Sequence, residues 1–131
     1  MNNSFSDPLK NQVFREVTTD HCDPNEGIKL ECSNTGSSIA SMVNPNFDQV
    51  TSGCVITVSF SQGHLELNGD DCKQNHTLLH IINPYFNETG IWECRIGYFE
   101  QSKYIWVDTG NKHKKHKICM NVYLLHCRVV V

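Results

Sequence analysis

Seven cysteines, at positions 22, 32, 54, 72, 94, 119 and 127, constrain what this 131-residue chain can fold into more than any other feature. No pair is spaced as Cys-x-x-Cys, so the usual zinc-ribbon and thioredoxin spacings are absent. Cysteines scattered this widely over a small chain read as disulfides, which form and persist in oxidising compartments. Three acceptor triplets point the same way and make Asn2, Asn75 and Asn87 the candidate glycosylation sites: Asn2-Asn3-Ser4, Asn75-His76-Thr77 and Asn87-Glu88-Thr89. Seven is odd, so one thiol is free or pairs outside the chain. Cys54 and Cys72 bracket a short hairpin region and are expected to approach the roughly 5.5–6 Å Cα separation that a disulfide needs.

The length fits one domain, on a prior of about 100–200 residues each. Hydrophobic residues make up 39% of the chain, enough for one core. A charged fraction of 19% and a mean hydropathy of −0.38 exclude both a disordered acidic tail and a membrane bundle. The best candidate for a membrane span, Ile118 to Val131, is short of the roughly 18 apolar residues required and is broken by Asn121, His126 and Arg128. A net charge of −3 with a pI near 6.1 argues against a dedicated nucleic-acid binder. The first residues show no basic or apolar leader pattern, and the last are apolar. Both suit a mature segment of an ectodomain or a small secreted protein.

Helical periodicity is nearly absent, while period-2 alternation recurs. In Gly27-Ile28-Lys29-Leu30-Glu31-Cys32, the residues Ile28, Leu30 and Cys32 share one face. Residues 54–60 are β-branched and apolar, as strands prefer. Residues 64–67 run into Asn68-Gly69, a strong turn signal. Further strands are expected at 77–82, 90–99, 104–108 and 117–126. Asn, Pro, Gly, Asp and Ser clusters separate these runs. Short strands punctuated this way predict an all-β sandwich or barrel.

Residues 79 to 94 read Leu79-x-Ile81, six residues, then Glu88-x-Gly90-x-Trp92-x-Cys94. This resembles the signature of the immunoglobulin superfamily where strand E leads into strand F, usually Leu-x-Ile followed by Asp-x-Gly-x-Tyr-x-Cys. Glu88 stands in for Asp and Trp92 for Tyr. The resemblance implies a disulfide-stabilised, Greek-key immunoglobulin-like β-sandwich of variable type. It further implies a single domain over 10–131 behind a flexible segment 1–9. The partner of Cys94 on strand B is then Cys32, 62 positions earlier, and the bond crosses the core between facing sheets. Gly90 lets the backbone turn closely into strand F. Trp92 can donate through its indole but cannot accept, so a looser or altered corner is expected in place of the family's tyrosine corner.

The strand-C tryptophan of the family is missing. Ile39, Met42 or Val43 fills its space if strand C lies at 38–43, and Val58 or Phe60 if it lies at 54–60. Strand G is either Tyr104-Ile105-Trp106-Val107 or the segment 118–125. The later segment is the one expected, which makes 97–117 a long excursion. Cys22 then lies beside strand G, within reach of Cys119 or Cys127.

The resemblance implies an extracellular protein-binding module of a cell-surface recognition or adhesion receptor, self-binding included. Candidate contacts are Arg95, Tyr98, Phe99, Tyr104 and Trp106. The alternatives are a viral immune-evasion glycoprotein or a secreted cystine-rich effector that binds a host protein. The patch Lys112, Lys114, Lys115 and Lys117 adds a basic loop suited to an anionic glycan. Those lysines oppose a metal at His113 and His116, and zinc favours closed ligand sets on rigid elements. No catalytic elbow, phosphate cradle or paired-carboxylate pattern is present, so neither enzyme activity nor a cofactor is expected.

Overall fold

The computed structural model describes residues 11–20, 23, 25–58, 64–70, 72–98 and 101–109. They fold into nine strands: β1 (Gln12–Glu16), β2 (Ile28–Asn34), β3 (Ala40–Val43), β4 (Thr51–Ser52), β5 (Val55–Ile56), β6 (Leu65–Leu67), β7 (His76–Ile81), β8 (Gly90–Ile96) and β9 (Gln101–Val107). One sheet has the order β1-β2-β7-β6 and a second the order β3-β8-β9, with β4 and β5 forming a small ladder of their own. β4 extends the second sheet past β3, because Val50 N–H reaches Met42 O and Gly53 N–H reaches Ala40 O, each at 2.8 Å. All strand pairs are antiparallel. This is a Greek-key sandwich, as the resemblance implies.

The core follows from alternation. On β2, Ile28, Leu30 and Cys32 point inward; on β8, Trp92, Cys94 and Ile96 do the same from the facing sheet. The Cys32–Cys94 disulfide joins them at a Cα separation of 5.6 Å. Cys54–Cys72 is also formed, at 5.7 Å. The proposed bond from Cys22 to Cys119 or Cys127, the basic patch at Lys112, Lys114, Lys115 and Lys117, and segments 1–9 and 118–125 lie outside the described residues.

The expectation for strand G needs correction, and two readings that stood open, strand C and the corner, are decided. First, Gln101–Val107 pairs with β8 along its whole length, from Ile96↔Gln101 to Gly90↔Val107. Strand G is therefore this segment rather than 118–125, and 97–117 is not a long excursion. Second, strand C is Ala40–Val43, with Met42 fully buried directly opposite Cys94, where the missing tryptophan leaves room. In the apolar stretch 54–60, only Val55–Ile56 is strand among the described residues. Val55 faces solvent there, because the chain turns tightly through Gly53 and Cys54. Third, the corner is altered but not loose. The Trp92 indole N–H donates to Glu88 O at 2.8 Å, and the side chain is fully buried.

Glu88 completes that corner. Its carboxylate receives Tyr85 N–H at 2.7 Å and lies 2.8 and 3.0 Å from His64 Nε2, and the His64 ring stacks on Tyr85. Gly90 follows at φ +148°, where a Cβ would sit 2.9 Å from the Pro45 side chain, so only glycine fits.

Half-buried, bridging carboxylates tie β1, β2 and the loop between them together. Glu26 accepts from the Thr19 hydroxyl at 2.7 Å and from Asp20 N–H at 2.6 Å. The Thr19 hydroxyl above all, then the backbone bonds of Asp20 and Thr19 and the charge of Lys29, outweigh burial and hold its carboxyl down at about 2. Burial pushes Glu31 up, but Arg15 and His76 outweigh it and leave the group below its ordinary value. A carboxyl lowered in the folded state contributes stability that is present above its unfolded value and lost as pH falls through its folded one. Thermal melts should therefore hold level down to pH 4.5 and drop progressively toward pH 2, the span between the ordinary and folded values of Glu26. Glu26→Gln should lower stability at neutral pH and flatten this acid limb. An unchanged limb in that variant would remove Glu26 as its source.

Candidate functional site

Alternation that buries Trp92 and Cys94 must turn Ile91, Glu93 and Arg95 outward on β8. The register sets Ile91 opposite Trp106, Glu93 opposite Tyr104 and Arg95 opposite Ser102. Among the described residues β9 is the outer strand of its sheet, and its residues Tyr104 and Trp106 are 61% and 63% exposed. Ile91 beside them is 51% exposed. These three side chains make an apolar row along the outward face of β8 and β9.

The polar pair beside the row is closed on itself. Arg95 donates through Nε at 3.3 Å and Nη2 at 3.0 Å to the two oxygens of Glu93, and the Ser102 hydroxyl donates to Glu93 at 2.6 Å. Burial pushes the Glu93 carboxyl up, but Arg95, Ser102 and Tyr104 bring it below its ordinary value, so it stays charged and paired. Arg95 therefore offers a fixed, charge-compensated donor rather than an isolated positive charge.

Of the five residues read from sequence, Arg95, Tyr104 and Trp106 share this face. Tyr98 sits in the turn at its end, 88% exposed. Phe99 lies outside the described residues. Ile91, Glu93 and Ser102 were not singled out from the sequence. The first two could have been, since they alternate with Trp92 and Cys94.

Phe47 was missed as well. It is 89% exposed at φ +68°, in the Asn44–Asp48 turn between β3 and β4. A bulky residue with positive φ is rare outside functional or strained positions.

The candidate glycosylation sites differ in setting. Asn87 is exposed in a single 3-10 turn, Phe86–Glu88. Asn75 instead donates its side-chain nitrogen to Asn34 O at 3.1 Å and Gly36 O at 2.7 Å, so a glycan there would displace one of these bonds. Asn2 lies outside the described residues.

Among the described residues, no cluster of His, Cys, Asp and Glu is arranged to hold a metal, and no helix is long and apolar enough to cross a membrane. No protein-family model and no curated protein sequence matches the chain. Solved structures do. The Ig1 domain of mouse SynCAM 2 superposes with a TM-score of 0.59 at 11% identity, over 76% of this chain and 94% of that one. A chain of the ZIG-8–RIG-5 IG1-IG1 heterodimer superposes with a TM-score of 0.51 at 12% identity, over 65% of this chain and 75% of that one. With the inter-sheet disulfide, the strand order and the E–F corner already in place, these matches establish that the chain has the immunoglobulin fold.

Proposed function

We propose that this domain is an extracellular recognition module that binds another protein, as part of a cell-surface adhesion or recognition receptor, and that it does so through the outward face of β8 and β9. The observation that carries this reading is the exposed row Ile91, Tyr104 and Trp106 beside a charge pair that is already neutralised. Aromatic side chains of this kind are enriched at the energetic centres of interfaces. The two disulfides support an oxidising, extracellular setting. The ZIG-8–RIG-5 structure, in which one IG1 domain pairs with another, supports a protein partner and makes pairing with a second copy the first form to test.

Sedimentation of the purified domain at high concentration tests self-pairing directly, and a strictly monomeric result would remove that form. Against whichever partner is captured, Trp106→Ala and Tyr104→Ala should each weaken affinity by about thirtyfold, close to 2 kcal/mol, mainly through faster dissociation. Substituting Lys112, Lys114, Lys115 and Lys117 should mainly slow association at low salt. Aromatic variants that stay folded and keep full affinity would move the site off this face.

A further inference from the structure

Next to the apolar row, the same sheet face carries a concavity of different chemistry. A groove of about 560 Å³ opens between β3, β4 and the turn after β8. Small-molecule sites typically enclose about 300–1,000 Å³. Ser41 is the most deeply buried residue lining it and pairs across the sheet with Arg95. Gln49 and Ser52 contribute from the β4 side, and Ser37 and Ser38 from the loop before β3. Exposed Ile39 and Tyr98 supply apolar surface at its rim.

Three features define what fits. First, hydroxyl and amide groups both donate and accept hydrogen bonds, so the matching ligand is itself rich in groups that do both. Second, Arg95 is the charged side chain in the lining, and Glu93 already compensates it, so the groove does not call for an anion. Third, the walls are held before any ligand arrives. Asn34 donates to Ser38 O at 3.0 Å and accepts from Gly36 N–H at 2.8 Å, and Asn75 braces the same loop. Gly97 N–H, donating to Ile39 O at 2.9 Å, fixes the opposite turn. Walls fixed in this way, with serines at 37, 38, 41 and 52 among the lining, lose little conformational entropy on binding.

We propose that this groove binds a neutral saccharide unit, a terminal hexose or N-acetylhexosamine of a glycan, with ring hydroxyls on the serines and Gln49 and the apolar face of the ring against Tyr98 or Ile39. The site is separate from the apolar row and does not depend on it.

Titration of the isotope-labelled domain with methyl β-galactoside and with N-acetylglucosamine, followed by amide chemical shifts, tests the assignment. At least one should bind with a Kd on the order of millimolar, which suits a monosaccharide in an open groove. The shifts should be confined to residues 37–41, 49–52 and 95–98. Gln49→Ala and Ser41→Ala should each weaken the titration by about tenfold, the effect of one lost hydrogen bond. Gln49 is exposed, so its variant folds even if Ser41→Ala does not. Trp106→Ala should leave the sugar titration unchanged, which keeps the test independent of the protein-binding face. Three results would overturn the proposal: no shift from either neutral sugar up to roughly 100 mM, well above the expected range; a titration indifferent to Gln49→Ala; or tighter binding of the methyl glycoside of N-acetylneuraminic acid, which would make the site anion-selective.

Discussion

Trp92→Ala should remove about 4 kcal/mol of folding stability, within the range of about 3–5 kcal/mol for truncating a buried aromatic. The side chain is fully buried in the core cluster and is the largest residue there. It also carries a bond that no aliphatic replacement can make, from the indole N–H to Glu88 O at 2.8 Å. Domains of this size are typically stable by only about 5–15 kcal/mol, so the alanine variant should lose a large share of its stability and melt well below the parent. Trp92→Phe separates the two contributions. It keeps most of the volume and leaves a buried carbonyl without its donor, at a cost of about 1–3 kcal/mol. Urea denaturation midpoints read both variants. A phenylalanine variant as stable as the parent would mean that packing alone holds the corner.

The two departures from the family motif act together. Glu88 stands in for Asp and Trp92 for Tyr, and the expectation of a looser or altered corner followed from the donor-only indole. In the structure the Glu88 carbonyl accepts that indole, while its carboxylate faces His64 and receives Tyr85 N–H. Nothing in the sequence marks His64, because its partner is 24 positions away and only the fold brings them together.

What was legible follows the period-2 pattern. β2, β7 and β8 bury one face completely, so their inward residues alternate, and with the immunoglobulin resemblance at 79–94 the core disulfide between β2 and β8 could be expected in advance. β1 and β9 were harder for one physical reason. β1 turns Gln12 inward, where its amide donates to Cys94 O at 2.7 Å, and leaves Val13 partly outside. β9 turns Tyr104 and Trp106 outward and keeps Ile105 and Val107 for the core. The segment 118–125 resembles a terminal strand and is the more apolar of the two, although the ladder to β8 belongs to Gln101–Val107. The same inversion made the candidate face partly readable, since aromatics spent on an outer strand are what exposes them. The serine-lined groove left no sequence signal, because its residues come from segments that only the sheet register unites.

Removing the core disulfide with Cys32→Ala and Cys94→Ala together should cost about 4 kcal/mol, the chain-entropy value for cross-linking residues 62 positions apart. The bond joins the centres of the two sheets, and both cysteines are fully buried, so the loss falls on the packing of one sheet against the other. The pair Cys54 and Cys72 makes a sharp comparison. It closes only 18 positions, and Cys54 is exposed. Its removal should cost about 3 kcal/mol by the same relation, and the loss should be confined to the hairpin region around β4 and β5. Exposure also orders the chemistry. Under mild reductant at neutral pH, Cys54–Cys72 should open first, while Cys32–Cys94 should stay closed until the domain unfolds, because the attacking thiolate must reach the sulfur. Peptide mapping after timed alkylation reads this order. Denaturation midpoints of the two double variants read the energies. If Cys32 or Cys94 were alkylated in the folded protein before Cys54 and Cys72, the inter-sheet bond would not be the central tie of this sandwich. If the Cys54–Cys72 variant lost more stability than the Cys32–Cys94 variant, the small β4–β5 ladder would be carrying energy that its short pairing and exposed side chains do not account for.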